Sequence, residues 1–202
     1  MFVHKFIAGR KGAGKALLLL HGTGGDENDL IPLSGKIAPG FAVLSVRGKV
    51  KEGTANRFFR RFGDSSFDLA DLLMRTDELA DFVEKARKDY DLGRVYALGY
   101  SNGANMAATI LLLRPRTIDG AVLFRPQVPL EPSVLPDLRG KKVFISSGRA
   151  DGMVRPEQAG ALEALLRKSG ADVTMNWAEA GHGITGVEIR KAREWMTKSI
   201  PE

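Results

Sequence analysis

Residues 95–105, Val95-Tyr96-Ala97-Leu98-Gly99-Tyr100-Ser101-Asn102-Gly103-Ala104-Asn105, decide how the chain is read. A short apolar run ends in Gly-x-Ser-x-Gly, and a stretch of small residues with helical character follows. Glycine fills 23 of the 202 positions, so the five-residue match alone says little. Its setting says more. A strand, a tight turn and a helix in succession lift a serine clear of the end of a sheet in a strained conformation. Glycines two residues to either side leave room for that turn.

Around this stretch, apolar β-rich runs alternate with helical patterns along almost the whole chain. Residues 2–7, 16–20, 42–46, 95–98, 120–124, 143–146 and 173–177 predict strands. Leu72, Thr76, Leu79, Val83, Ala86 and Tyr90 recur at three- and four-residue spacing and predict a long helix ending near Asp91. Further helices are expected over 105–113, 156–169 and 187–199, with Pro115 and Gly170 as stops for the first two. This alternation specifies an α/β fold with a single, mostly parallel sheet of about seven strands and helices on both faces. Residues 125–139 carry Pro126, Pro129, Pro132 and Pro136 and read as a loop. Only about twenty residues link the strand before it to the next, too few for a lid domain.

A chain of 202 residues fits one domain, 1–202, and 44% hydrophobic with 27% charged residues is ordinary for a folded protein. With no cysteine, disulfides, thiolate metal sites and cysteine nucleophiles are excluded. The start, MFVHKFIAGRKG, lacks a continuous apolar core and a cleavage site, so a cytoplasmic protein is expected. The formal charge of +6 is mostly dispersed. Its one dense patch holds Arg47, Lys49, Lys51, Arg57, Arg60 and Arg61, but no nucleic-acid motif accompanies it, and solvated side chains or attraction of anionic substrates are the readings left.

Gly9 to Ala16, GRKGAGKA, comes within one residue of a phosphate-binding loop. Such a loop must open a helix, whose N-terminus then meets the phosphates. Here Leu17 to Leu20 follows, a buried strand stopped by glycine, and Ala16 fills the magnesium-binding position. The stretch is expected to be an exposed connection between two strands.

A serine nucleophile needs a base, and the base an orienting acid. Asp151 follows the strand at 143–146 and His182 follows the last strand, giving the order Ser101, Asp151, His182. In open α/β sheets these positions gather at the carboxyl ends of the strands. His21-Gly22-Thr23-Gly24-Gly25 follows the second strand, where an oxyanion loop would lie, and the backbone N–H groups of Thr23 and Asn102 are the candidates for the hole. His21 is then a structural loop residue. Ser101 could alternatively cap a helix, Asp151 could cap the helix near Pro156, and Asp26 or Asp119 could compete as the acid.

Four stretches carry a resemblance: LLLLHGTGGDENDL (17–30), GYSNGANMA (99–107), SGRADGMV (147–154) and AGHGIT (180–185). Together they resemble the phospholipase/carboxylesterase family of α/β-hydrolases, which includes the acyl-protein thioesterases. RGKVKEGTANRFFRRFGDSSFDLADL (47–72) and FRPQVPL (124–130) resemble its bacterial branch, which includes carboxylesterases linked to quinone and hydroquinone resistance. The resemblance implies Ser101 as nucleophile, Asp151 as acid and His182 as base. A carboxylesterase acting on a small ester, without metal or organic cofactor, nucleic acid or membrane, is the reading that the order of motifs and the composition lead to. Acyl-protein thioesterases carry glutamine after the nucleophile and leucine in the oxyanion loop. Asn102 and Thr23 stand there in this chain, which argues against a lipidated-protein substrate.

A thioesterase or lysophospholipase would share every catalytic residue, and a non-catalytic binding protein could share the fold. Phe58, Phe59, Phe62 and Phe67 are either core or the wall of an acyl or aryl pocket, and Gly22 and Val154 are further candidates for substrate contact. Ile189, Ala192, Trp195 and Met196 of the last helix pack either on the chain's own core or on a second subunit, a homodimer.

Overall fold

The computed structural model describes residues 2–10, 14–62 and 66–200. Five apolar segments, β2 (Lys15–Leu20), β3 (Ala42–Val46), β6 (Arg94–Tyr100), β7 (Gly120–Phe124) and β8 (Lys142–Gly148), are buried over nearly all their length, as strands covered on both faces must be. With β1 (His4–Ile7) and β9 (Asp172–Ala178) they form one seven-stranded sheet in the order β1-β3-β2-β6-β7-β8-β9. Every pairing is parallel except that of β1, an antiparallel edge strand on β3. The edge position suits His4, whose ring bonds Tyr90 Oη at 2.8 Å.

The period of two along each strand divides the core. Leu18, Leu20, Leu44, Ala97, Leu123 and Ile145 face one side, against α2 (Leu69–Asp89), α3 (Asn102–Leu113) and α4 (Pro156–Lys168). Leu17, Leu19, Val43, Leu98, Val122 and Phe144 face the other, against α1 (Ile31–Ile37) and α5 (Gly186–Ser199). Ala192, Trp195 and Met196 are buried in this second cluster, so the apolar face of α5 is committed to its own core rather than left for a second subunit.

Four elements differ from the sequence reading. α1 carries Pro32 and Gly35 and gives no helical period, and β4 (Val50–Glu52) and β5 (Ala55–Arg57) form a hairpin too short to register as alternation. α3 starts at Asn102, immediately after the serine, because its first turn is built from the small residues that read as the end of a turn. The stretch at 9–16 is followed by a strand and not a helix, and its residues 11–13 lie outside the described residues. The connection from β7 to β8 holds no helix or strand, which leaves the fold without a lid domain.

α3 is the central helix: all its residues but Leu113 are buried. It approaches β2 so closely that a Cβ at Gly103 would sit 2.0 Å from the Leu20 carbonyl oxygen. Gly103→Ala is therefore expected to force the backbones apart, at a cost of about 1–3 kcal/mol, and to lower Tm by about 2–4 °C for each kcal/mol. Differential scanning calorimetry checks this, and an unchanged Tm would contradict the close approach.

Candidate active site

Ser101 occupies the turn between β6 and α3 with φ 51° and ψ −114°, a left-handed conformation rare for a residue with a side chain. Its N–H donates to Phe124 O at 2.9 Å and its carbonyl accepts from Asn105 N–H at 2.9 Å, so sheet and helix both hold the strained residue. The side chain makes no capping bond. Ser101 Oγ lies 3.0 Å from His182 Nε2, and His182 Nδ1 lies 2.8 Å from Asp151 Oδ2. An ionised carboxylate can only accept, so Nδ1 carries the proton and Nε2 is left to accept from the serine hydroxyl.

Asp151 is buried, which opposes its ionisation. The Met153 N–H, the His182 ring and the Val154 N–H more than offset this and hold the carboxyl below its ordinary range. The competing acids lie elsewhere. Asp26 bonds Asn28, and Asp119 bonds Arg87 and the Val95 N–H at the opposite end of β6.

His182 sits in the loop after β9, and that loop is clamped. Arg125, fully buried, donates from Nε to Gly181 O at 2.9 Å and from Nη2 to Gly183 O at 2.6 Å, the carbonyls on either side of the histidine. Tyr100 Oη donates to His182 O at 3.1 Å. Arg125 is itself held by Glu188 in the first turn of α5, at 2.5 and 2.9 Å. Glu188 also accepts from Ser146 Oγ and from the Thr185 N–H and hydroxyl, so its carboxyl closes the capping box of α5 as well. No local pattern in the sequence marks Arg125. Its partners are 21 to 63 residues away.

Thr23 and Asn102 border the serine in a cleft of about 600 Å³, together with Phe67, Tyr100, Gln127, Met153, Val154 and His182. The Asn102 N–H is one of the unsatisfied first-turn donors of α3. The Asn102 side chain pins the segment after β5, accepting from Phe58 N–H at 2.7 Å. Gly22 does not line the cleft, but a Cβ there would meet the Tyr100 ring at 2.7 Å, so glycine lets this loop lie against the end of β6. Phe58 and Phe59 are 2% and 0% exposed and belong to the core, not to a pocket wall. Of the four phenylalanines Phe67 lines the cleft, and Phe62 is exposed. His21 is buried, with Nδ1 on Gly22 O at 2.6 Å and Nε2 accepting from Gly48 N–H at 3.0 Å, a structural role. Burial pushes its pKa down despite the Gly22 bond.

The basic stretch is not simply solvated. Arg47 pairs with Glu27, Lys49 with Glu78, Arg60 with Asp68 and Arg61 with Glu52, while Arg57 is buried beside the cleft. Among the described residues no helix is long and apolar enough to cross a membrane, and no three His, Asp or Glu side chains group as metal ligands.

Residues 59–175 match the sequence profile of the alpha/beta hydrolase fold. The chain is also 44% identical to the putative hydrolase MhqD of Bacillus subtilis, over 91% of this chain and 93% of that protein. It belongs to the α/β-hydrolase family. Within that family it falls in the phospholipase/carboxylesterase branch. The crystal structure of a Bacillus cereus carboxylesterase superposes on this α/β-hydrolase with a TM-score of 0.96 at 44% identity, covering 98% of this chain and 95% of the other. That of a carboxylesterase from Mesorhizobium loti does so with a TM-score of 0.91 at 33% identity, covering 97% and 94%.

The pair under the histidine loop makes a prediction about acid stability. Burial would raise the Glu188 carboxyl, but Arg125, Ser146 and Thr185 together hold it at about 2, below the ordinary 4.5. A carboxyl depressed in the folded state stabilises fully above its unfolded value and loses that contribution as pH falls towards the folded one. Wild type should therefore lose stability from Glu188 between pH 4.5 and about 2, whereas Glu188→Gln should lack that component. Arg125→Met, leaving the carboxylate buried without its partner, should cost about 3–5 kcal/mol at neutral pH. Urea unfolding of the three proteins from neutral pH down to about 2 checks both, and parallel pH profiles for wild type and Glu188→Gln would contradict the first.

Proposed function

We propose that the protein is a serine carboxylesterase acting on small carboxylic esters through an acyl-enzyme. The observation that carries this reading is the unbroken relay Ser101 Oγ, His182, Asp151, with contacts of 3.0 and 2.8 Å, opening into a cleft. Ser101 attacks the ester carbonyl while its proton passes to His182 Nε2, and Asp151 stabilises the imidazolium that forms. The N–H groups of Thr23 and Asn102 receive the negative charge on the carbonyl oxygen. The intermediate collapses, the carbon–oxygen bond to the alcohol breaks, and the alkoxide leaves with the proton from His182. Water then attacks the acyl-enzyme, giving its proton to His182, and the acid departs as the proton returns to Ser101.

Val154, Met153 and Phe67 supply the apolar wall for the substrate, and Gly22 acts indirectly by seating the Thr23 loop. The names of the Bacillus cereus and Mesorhizobium loti relatives support ester hydrolysis as the reaction class.

The test joins labelling to turnover. A fluorophosphonate should add once to wild type and not to Ser101→Ala or His182→Ala, as read by intact mass. Hydrolysis of short para-nitrophenyl esters should fall by about 10⁴-fold or more in Ser101→Ala and by about 10⁴-fold in Asp151→Asn. Retained hydrolysis by Ser101→Ala would end the proposal.

A further inference from the structure

Arg57 stands out among the cleft residues. Its side chain is 4% exposed, yet it lines the cleft that holds Ser101. A guanidinium presents five N–H donors in a flat fork. Nε donates to Phe59 O at 3.1 Å and Nη1 to Thr23 Oγ1 at 2.6 Å, while Nη2 bonds no group among the described residues. The guanidinium is otherwise enclosed, and its free pair of donors faces the cleft, open to an acceptor there.

The neighbouring charges do not complete it. Glu52 lies 3.3 Å from Arg57 Nε, but it is 42% exposed and already held by two donors of Arg61, at 2.7 and 3.0 Å. Two guanidiniums thus share one carboxylate, and both line the cleft. Two arginines elsewhere are better supplied. Arg114 meets Asp77, Asp81 and Glu84, and Arg125 holds both oxygens of Glu188. Two guanidiniums against one carboxylate leave a net positive charge on the cleft wall beside the Thr23 loop.

We propose that Arg57, with Arg61 beside it, is a carboxylate-binding subsite, and that the preferred substrate is an ester bearing a second, free carboxylate a few bonds from the scissile carbonyl. This rests on the esterase reading above. Because Arg57 bonds Thr23, a carboxylate on Nη2 would tie the substrate to the same loop that receives the carbonyl oxygen. The fork suits a planar anion better than a lysine would. The free carboxylate could sit on the acyl side or on the alcohol side of the ester.

Matched substrates test this. On the acyl side, the para-nitrophenyl half-ester of glutaric acid is compared with para-nitrophenyl valerate, and on the alcohol side para-acetoxybenzoate with para-tolyl acetate. Wild type should favour the anionic member of one pair by about 10-fold or more in kcat/KM, and the pair that does so identifies the side. Arg57→Met should reduce that anionic-to-neutral ratio by about 10- to 100-fold, with part of the preference restored in Arg57→Lys. If Arg57 only supports the Thr23 loop, Arg57→Met will slow both members of each pair equally and leave the ratio unchanged, which overturns the proposal. Wild type with no anionic preference in either pair overturns it as well. Should Arg57→Met fail to fold, free glutarate on wild type decides: it should slow fluorophosphonate labelling of Ser101 where uncharged glutaramide at the same concentration does not, and equal effects count against the subsite. Failure of the esterase reading looks different, since wild type would then hydrolyse none of the four esters.

Discussion

Ser101 is held where an ordinary side chain does not rest, at φ 51°, and the rest of the site depends on that constraint. Such a residue costs about 1–3 kcal/mol and persists only where its surroundings over-determine it. Here β6 delivers the serine, β7 accepts its N–H, and α3 begins at the next residue. The helix can begin there because Gly103 lets it lie on the β2 backbone. The same junction leaves the first N–H of α3 unused beside the serine and places the Asn102 side chain where it fixes the segment leading out of the β4–β5 hairpin. One strained turn therefore sets the candidate nucleophile, one candidate oxyanion donor and one wall of the cleft together.

The opposite wall is organised around a buried charge. Arg125 and Glu188 are both essentially inaccessible, and an ion pair in that position contributes little net stability, because desolvation consumes much of the attraction. What the pair does contribute is placement. Arg125 reaches the carbonyls flanking His182, while Glu188 ties the same guanidinium to β8 through Ser146 and to the start of α5 through Thr185. An apolar replacement could fill the volume, but it could not hold two carbonyls of an irregular loop at fixed distances. Arg125 itself adopts a left-handed backbone at φ 57°, a second strained residue next to the candidate chemistry.

The legible part of the molecule is the part written in local patterns. Five strands read as continuous apolar runs because both faces of a parallel strand are covered, and α2 read from its stripe. Ser101, Asp151 and His182 could be nominated because each follows a strand, and the sheet brings strand ends together. What was illegible depends on long-range contacts or on elements too short to have a period. The β4–β5 hairpin has three residues per strand, and it decides that Phe58 and Phe59 turn into the core while Arg57 turns to the cleft. Arg57 lay in a basic run in which Arg47 and Arg60 each found carboxylates while Arg57 and Arg61 share Glu52, and nothing in the run distinguishes the pair that shares.

That difference between Arg57 and its neighbours bears on how a cleft without a lid can select. With no lid domain to enclose a substrate, apolar contact alone discriminates weakly, since a methylene changes binding by only about 1–3 kcal/mol. A fixed, desolvated donor discriminates more strongly, because an ester that leaves it unpaired forfeits the interaction and leaves the cation uncompensated. Arg57 is in that position: its side chain is almost wholly enclosed, it is braced by Phe59 O and Thr23 Oγ1, and it shares its one carboxylate with Arg61. Selectivity in this open cleft then comes from a charge the fold holds in place beforehand, with no need for the chain to close around its substrate.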